Sequence, residues 1–211
     1  MTLTFLVVII IVISSYFGYK WIHKYRYPLY IINLAIAIPI AEESANYVTF
    51  GFIALAFFIV VMFTGALDQG RLRKRLLAVR AELAIIGTVY LIPHFLAFTN
   101  LVLEDLGLFH ATLNFYLGLV AGAILFPLTI SSFTYIRKQM GFKAWKAFHK
   151  LAYFGYLAIA VHLIVQNTVR VWIYVGLFGL YLVTRWMTWQ QTNRVRKQRI
   201  ADANNRVLPT G

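Results

Sequence analysis

The chain has no cysteine among its 211 residues. This absence excludes disulfide bonds, cysteine-ligated iron–sulfur clusters, a thiolate nucleophile and thioether-linked c-type heme.

Charged residues are also scarce. They make up 13% of the chain, whereas hydrophobic residues make up 61% and the mean hydropathy is +0.72. These values lie far from those of a soluble domain of this length. We therefore expect one membrane domain, with no stretch left over for a soluble catalytic domain and with the lipid bilayer as its surroundings.

Acidic residues are the rarest charged group, with 7 Asp and Glu against 20 Lys and Arg, which gives a net charge of +13. The basic residues cluster between apolar segments, as membrane topology predicts. A nucleic-acid binder would instead place them along a groove with interleaved aromatic residues. We therefore expect no nucleic-acid partner.

Long apolar runs are what the chain has in abundance. A transmembrane helix needs about 20 mostly apolar residues, and seven segments approach that length. The second is short and contains Pro28 and Pro39, so it is either a tilted span or a re-entrant segment. The sequence predicts an all-α integral membrane bundle with six to seven transmembrane helices, at Thr2–Tyr19, Tyr27–Ala41, Tyr47–Leu67, Ala81–Phe98, Thr112–Phe133, Phe148–Val165 and Val169–Trp189.

The basic residues also predict the orientation. With seven spans, Arg170 is the one basic residue on the side that carries Glu42, Glu43, Glu104 and Asp105. The basic side is expected in the cytoplasm, which places the N-terminus outside and the C-terminus inside a bacterial plasma (inner) membrane. Residues 191–211 are expected to form a frayed, polar cytoplasmic tail.

Two histidines lie at matching depth in different spans. His94 follows Arg80 by fourteen residues and His162 follows His149 by thirteen, which corresponds to about 21 Å and about 20 Å along a helix. Both imidazoles therefore fall in the outer half of the membrane. An imidazole in lipid is costly without a partner.

Such a pair can hold a heme iron from both faces. His94 and His162 are thus candidate axial ligands of one b-type heme between the fourth and sixth spans. Iron with two histidine ligands favours electron transfer over oxygen chemistry. The alternative for each histidine is a hydrogen-bonded packing residue. His23 and His110 fall in predicted connections and are expected to be solvated.

His149 sits at the cytoplasmic edge and has no partner histidine at its level. The fourth span offers Arg80 there, which cannot ligate iron. Thirteen residues also place His149 and His162 about 140° apart on an ideal helix, unless the helix is wound differently, for example by a π-bulge. Arg80, Trp145 and His149 could receive a flavin phosphate or a quinone carbonyl. Alternatively, Arg80 and Lys150 anchor helix ends at the lipid headgroups.

The stretch from Pro127 to His162, PLTISSFTYIRKQMGFKAWKAFHKLAYFGYLAIAVH, resembles the ferric reductase-like transmembrane family. It is most similar to the heme-binding subunits of protein-methionine-sulfoxide reductase systems. Trp145 followed by His149, with His162 thirteen residues later, carries the resemblance, together with Arg80, Leu83 and His94 upstream. The similarity covers roughly residues 46–190. Residues 1–26 form an additional helix and basic loop before a heme-binding domain at 27–190.

The resemblance implies a bundle that carries electrons outward through b-type heme. His94 and His162 match the outer ligand pair, and His149 matches the inner ligand on its helix, which leaves His149 a candidate ligand of a second iron. The partner of that inner ligand would fall near Arg80 and is absent. The resemblance further implies quinol or reduced flavin (quinone or FMN) as electron source and an extracytoplasmic methionine-sulfoxide reductase as acceptor.

Two other functions remain open. A stand-alone ferric or cupric reductase would need an exposed heme edge, with His110 or Glu104 as metal contacts. A transporter without heme would use the histidines in a polar pathway.

Overall fold

The computed structural model describes residues 2–42, 47–104, 113–166 and 170–207. Ten α-helices and one 3₁₀ turn make up nearly all of these ranges. They are α1 (Thr2–Lys24), α2 (Arg26–Glu42), α3 (Tyr47–Thr64), α4 (Arg71–Ala78), α5 (Arg80–Glu104), α6 (Leu113–Ile130), α7 (Thr134–Met140), α8 (Phe142–Phe148), the turn His149–Leu151, α9 (Ala152–Gln166) and α10 (Val171–Val207).

Each of the seven apolar segments forms a helix, and the predicted all-α membrane bundle is confirmed. Five stretches of the described residues are long and apolar enough to cross a membrane, at Leu3–Lys24, Arg80–Ala97, Leu113–Ile130, Phe142–Gln166 and Val171–Ala203. α2 has 17 residues, and α3 contains a shorter apolar stretch at Gly51–Thr64. The short helices α4, α7 and α8 carry basic residues, and α8 forms the start of the stretch Phe142–Gln166.

The second segment is one continuous helix, which Pro39 does not interrupt. α2 runs from Arg26 to Glu42, about 26 Å at 1.5 Å per residue. Pro28 lies in its first turn, where a missing N–H removes no helical hydrogen bond. Asn33 accepts a hydrogen bond of 2.8 Å from the Tyr90 hydroxyl of α5, which ties α2 to the bundle.

α3 is the central helix, and its apolar side chains are buried on every side. Ala56 and Val60 pack towards α1, Ala54 and Phe58 towards α2 and α5, and other residues towards α6, α9 and α10. A helix that is apolar all round is expected in this position. Large apolar side chains elsewhere, such as Phe17 and Trp172, are exposed at the bundle surface, as in a protein surrounded by lipid.

One end of the bundle carries the short basic helices, and we call it the basic end. Side-chain contacts to backbone carbonyls tie it together: Arg75 donates to Tyr16 at 2.8 Å, Arg185 to Gly65 at 2.9 Å and Thr188 to Ala66 at 2.6 Å. α10 continues past this end to Val207. The tail expected to fray is thus helical as far as that residue, because residues 191–207 contain no glycine or proline to stop the helix.

Candidate functional site

The two histidines of matching depth lie on different helices of the bundle, His94 on α5 and His162 on α9. Both imidazoles are half-buried. Each ring lies against a glycine of a neighbouring helix. A Cβ added at Gly51 of α3 would lie 3.1 Å from His94 Nδ1, and one at Gly118 of α6 would lie 3.2 Å from His162 Cε1. These glycines leave the room that the rings use, because any larger residue would displace them.

The His162 ring is oriented by a hydrogen bond to the backbone. Its Nδ1 lies 2.9 Å from the carbonyl oxygen of Asn114. A carbonyl only accepts, so Nδ1 carries the proton and donates it. In the neutral ring, Nε2 then keeps its lone pair. Metal-ligating histidines have this arrangement, in which the second ring nitrogen donates to a carbonyl or carboxylate and fixes the tautomer.

The packing of α6 supports the equal depth of the two rings. Gly118 of α6 contacts His162, and Gly122 contacts the ring of Phe95, the residue after His94. These glycines are four residues apart, about one helical turn or 6 Å. Gly51 and Gly118 also lie only four and five residues after the starts of α3 and α6. His94 and His162 are therefore level to within about a turn, near the end opposite the basic one.

These residues suit a b-type heme. The two imidazoles come from different helices at one level, one ring is held in a ligand-type tautomer, and the neighbouring glycines leave room for both rings. Extensive packing joins α5 to α3 and α2, and α9 to α6 and α10, whereas α5 and α9 are not a closely packed pair within the described ranges. A flat macrocycle between α5 and α9 would need such a separation.

A cavity of about 390 Å³ opens at the basic end. Arg80, Trp145 and His149, the three residues singled out for the donor side, all line it. Its apolar wall includes Phe58, Ile85 and Leu128. The structure therefore brings this group together, about 20 Å along the helices from the histidine pair.

His149 is fixed on the cavity wall by Ser131 and Trp145. Its Nε2 lies 2.9 Å from Ser131 Oγ, and its ring centroid lies 4.2 Å from that of Trp145. The Ser131 hydroxyl donates its one proton to Leu128 O at 2.8 Å, so it accepts from His149. Nε2 of His149 is thus engaged as a donor on the cavity wall, and a neutral ring then keeps its lone pair on Nδ1.

The winding before α9 brings His149 nearer the face of His162 than an ideal helix would. Residues His149–Leu151 form a 3₁₀ turn, with about 120° per residue instead of about 100°. The angle between the two side chains falls from about 140° to about 80°. The local departure from ideal helical winding is thus a 3₁₀ turn and not a π-bulge.

Two cationic side chains complete the basic side of the cavity. Arg80 lines the cavity together with the buried Tyr156, and Arg137 lies over the Trp145 ring, 5.8 Å from its centroid. Arg80 therefore faces the interior of the bundle, unlike Lys150, which is exposed and does not line the cavity.

Sequence reasoning missed the acidic part of the cavity. Glu82 is 3% exposed, and its Oε1 lies 2.7 Å from Nδ1 of His23 at the end of α1. His23, expected in a solvated connection, is instead paired with a buried carboxylate. A glutamate two residues after Arg80, at the start of an apolar helix, was the available signal. Glu82 and His23 both line the cavity, as do Arg26 and Tyr30 of α2.

Some expected contacts cannot be placed. His110 lies outside the described residues, and the side chain of Glu104 does as well. Among the residues that are described, no group of three or more His, Asp or Glu side chains is arranged for a metal ion.

Comparisons with known proteins identify the family of the chain. The model of the family "Ferric reductase like transmembrane component" matches residues 50–160, more than half of the chain. An uncharacterized protein of Treponema pallidum (strain Nichols) is 35% identical over 116 residues, which span 51% of this chain but 32% of that relative. No solved structure matches. The match begins within α3 and ends within α9, two residues before His162, and it includes Arg80, His94, Trp145 and His149. On this basis the chain belongs to the ferric reductase-like transmembrane family.

Proposed function

We propose that this protein carries electrons across a membrane through one b-type heme bound by His94 and His162. The observation that carries the proposal is the orientation of His162: its Nδ1 donates to Asn114 O at 2.9 Å, which leaves Nε2 as a ligand atom level with His94 on another helix. Family membership supports a membrane electron-transfer role. The bound heme supplies one-electron chemistry, and the protein supplies its ligands and its apolar surroundings.

Electrons enter at the basic end in this proposal. The cavity lined by Arg80, Trp145 and His149 receives a quinol or a reduced flavin, because its cations can bind a carbonyl or phosphate oxygen. Electrons then leave from the opposite end to an extracytoplasmic acceptor such as the catalytic subunit of a methionine-sulfoxide reductase. The resemblance of the segment 127–162 to the heme-binding subunits of those systems supports this acceptor.

Absorbance spectra of the purified protein test the heme assignment. The parental protein should show a reduced-minus-oxidised spectrum of low-spin b-type heme. His94→Ala and His162→Ala should each abolish it, because one remaining imidazole leaves an open iron site. His149→Ala is the matched control and should retain it. Intact bis-histidine spectra in either outer variant would refute the assignment, and absence of heme from the parental protein would favour the transporter.

The orientation has its own test. The basic end belongs in the cytoplasm of a bacterial plasma membrane if the distribution of Lys and Arg governs insertion. Reporter fusions should place residues 70–78 and 137–147 in the cytoplasm and residues 100–110 outside. A cytoplasmic 100–110 segment would reverse the direction of electron flow.

The family description favours a second candidate, direct reduction of external ferric or cupric ions. The two functions separate in vitro. If the protein with reduced heme transfers electrons to ferric citrate as fast as to a sulfoxide reductase partner, the chain is itself the metal reductase and not a relay.

A further inference from the structure

The pair Glu82–His23 connects the cavity at the basic end with the protein surface. The Glu82 side chain is 5% exposed and that of His23 is 57% exposed, and the two are joined by a 2.7 Å contact. Both line the cavity. The pair therefore has one member inside the cavity wall and the other in contact with the aqueous side.

Positive and polar groups from several helices line the same cavity as the Glu82 carboxylate. Arg80 lies two residues before it on α5, His23 comes from α1, Arg26 and Tyr30 from α2, and His149 and Arg137 line the same cavity from the α7–α9 region. Burying a carboxylate is unfavourable unless it is paired, and His23 pairs with Glu82 at 2.7 Å. Replacing a buried ion pair by apolar residues is often neutral or stabilising, so the burial of Glu82 needs an explanation other than stability.

The chemistry of the proposed electron donor supplies one. A hydroquinone or a dihydroflavin loses two protons when it loses two electrons. A heme with two histidine ligands accepts only electrons, one at a time. Two successive ferric-to-ferrous reductions therefore take both electrons of one donor molecule, and both protons must leave the cavity by another route.

We propose that Glu82 and His23 are the proton exit of this cavity. The Glu82 carboxylate takes a proton from the donor's hydroxyl or ring N–H and passes it to Nδ1 of His23, whose neutral ring carries its own proton on Nε2. The exposed imidazole releases that Nε2 proton to water and regains the starting tautomer by proton exchange with water before the next transfer. Each electron transferred to heme is matched by one such proton, so charge and atoms balance. The proposal rests on the proposed function, and it adds that the donor belongs to the class that loses protons with electrons.

One half of this exit lies outside the matched family segment, whereas Glu82 of α5 lies inside it. His23 belongs to α1, and Arg26 and Tyr30 belong to α2, whereas the family model covers residues 50–160. The N-terminal helices therefore do more than add apolar surface: they supply the outer half of the proton route and one wall of the cavity.

Stopped-flow reduction of heme in liposomes tests the route. The probes are menadiol, reduced FMN and dithionite. Glu82→Gln keeps the size of the side chain but cannot take up a proton, and it should slow reduction by menadiol, by reduced FMN, or by both, tenfold or more. Reduction by dithionite should keep the parental rate. The matched control is Asp68→Asn, an exposed acid near the same end, which should leave all three rates unchanged.

His23→Ala provides a second test in case Glu82→Gln fails to fold, since His23 is largely exposed. This variant should be slow with the same donor, and added imidazole should restore its rate, because a small base can replace the missing ring at an exposed site. A purely structural ion pair would show no such rescue.

The three reductants distinguish the possible outcomes. Slowing with menadiol alone identifies a quinol, and slowing with reduced FMN alone identifies a flavin. If Glu82→Gln and His23→Ala both reduce at the parental rate with menadiol and with reduced FMN, the proton exit is wrong. Heme that dithionite still reduces would leave the proposed function intact in that case. A parental protein without heme would instead refute the proposed function itself.

Discussion

The two ends of the bundle are built in opposite ways. At the end opposite the basic one, His94 and His162 lie within 3.1–3.2 Å of the Cβ positions of Gly51 and Gly118, among apolar neighbours and with little spare room. At the basic end, a cavity of about 390 Å³ is lined by arginines, histidines and a buried glutamate. A tight pair of imidazoles suits a group that stays in place, whereas a wide polar cavity suits a molecule that enters, reacts and leaves.

The largest expected effect is on electron transfer from the cavity at the basic end to the heme at the opposite end. Arg80→Ala and His149→Ala should leave the heme spectrum intact but slow its reduction by quinol or reduced flavin tenfold or more, because they remove the hydrogen-bond donors on the cavity wall. The matched control is Lys150→Ala, which removes a basic charge beside His149 but outside the cavity. Stopped-flow absorbance measures the rates of heme reduction. Equal rates in all three variants would mean that Arg80 and His149 do not bind the electron donor and that the basic residues only anchor helix ends at the lipid headgroups.

The next effect concerns the end opposite the basic one, which we call the tight end because His94 and His162 pack closely there against Gly51 and Gly118. Gly118→Ala places a methyl group 3.2 Å from His162 Cε1 and 3.4 Å from its Nδ1, so the ring has to shift against its hydrogen bond to Asn114. Heme affinity should fall severalfold. Gly176→Ala, where an added Cβ meets nothing within 4 Å, is the control, and heme titration of the apo-proteins measures both. Unchanged affinity in Gly118→Ala would mean that the ring has more freedom than the glycine implies.

These outcomes bear on how much the sequence alone could predict. Fixed helical rise and long apolar runs predicted the seven helices and the equal depth of His94 and His162, because both depend only on spacing along the chain. Spacing also predicted that Arg80, Trp145 and His149 share a level. The pairing of Glu82 with His23 joins residues 59 positions apart on helices whose packing order no local pattern reveals. The 3₁₀ turn at His149 was likewise beyond an argument from ideal helical periodicity.

A third prediction separates helix packing from cofactor binding. A Cβ at Gly87 of α5 would lie 2.8 Å from Phe57 Cβ of α3, closer than carbon atoms normally approach. Gly87→Ala should therefore destabilise the fold by about 1–3 kcal/mol, although alanine favours the helix itself by about 1 kcal/mol. Thermal unfolding in detergent measures the change. Gly176→Ala should show no loss of stability, and loss in both would point to a general cost of substituting helical glycines here.

The smallest effect probes a hydroxyl near the tight end. Tyr174 of α10 is 0% exposed, and within the described part of the chain its hydroxyl has no hydrogen-bond partner. It shares an apolar cluster with Phe52 and Leu163, the residues that follow Gly51 and His162. Removing an unsatisfied buried hydroxyl is close to neutral or stabilising, so Tyr174→Phe should change the unfolding free energy of the apo-protein by less than about 0.5 kcal/mol. The same variant should keep the heme spectrum and potential of the parental protein. A lowered heme affinity with unchanged apo stability would mean that the hydroxyl binds the cofactor, and the tight end would then contain a polar contact as well as its two histidines.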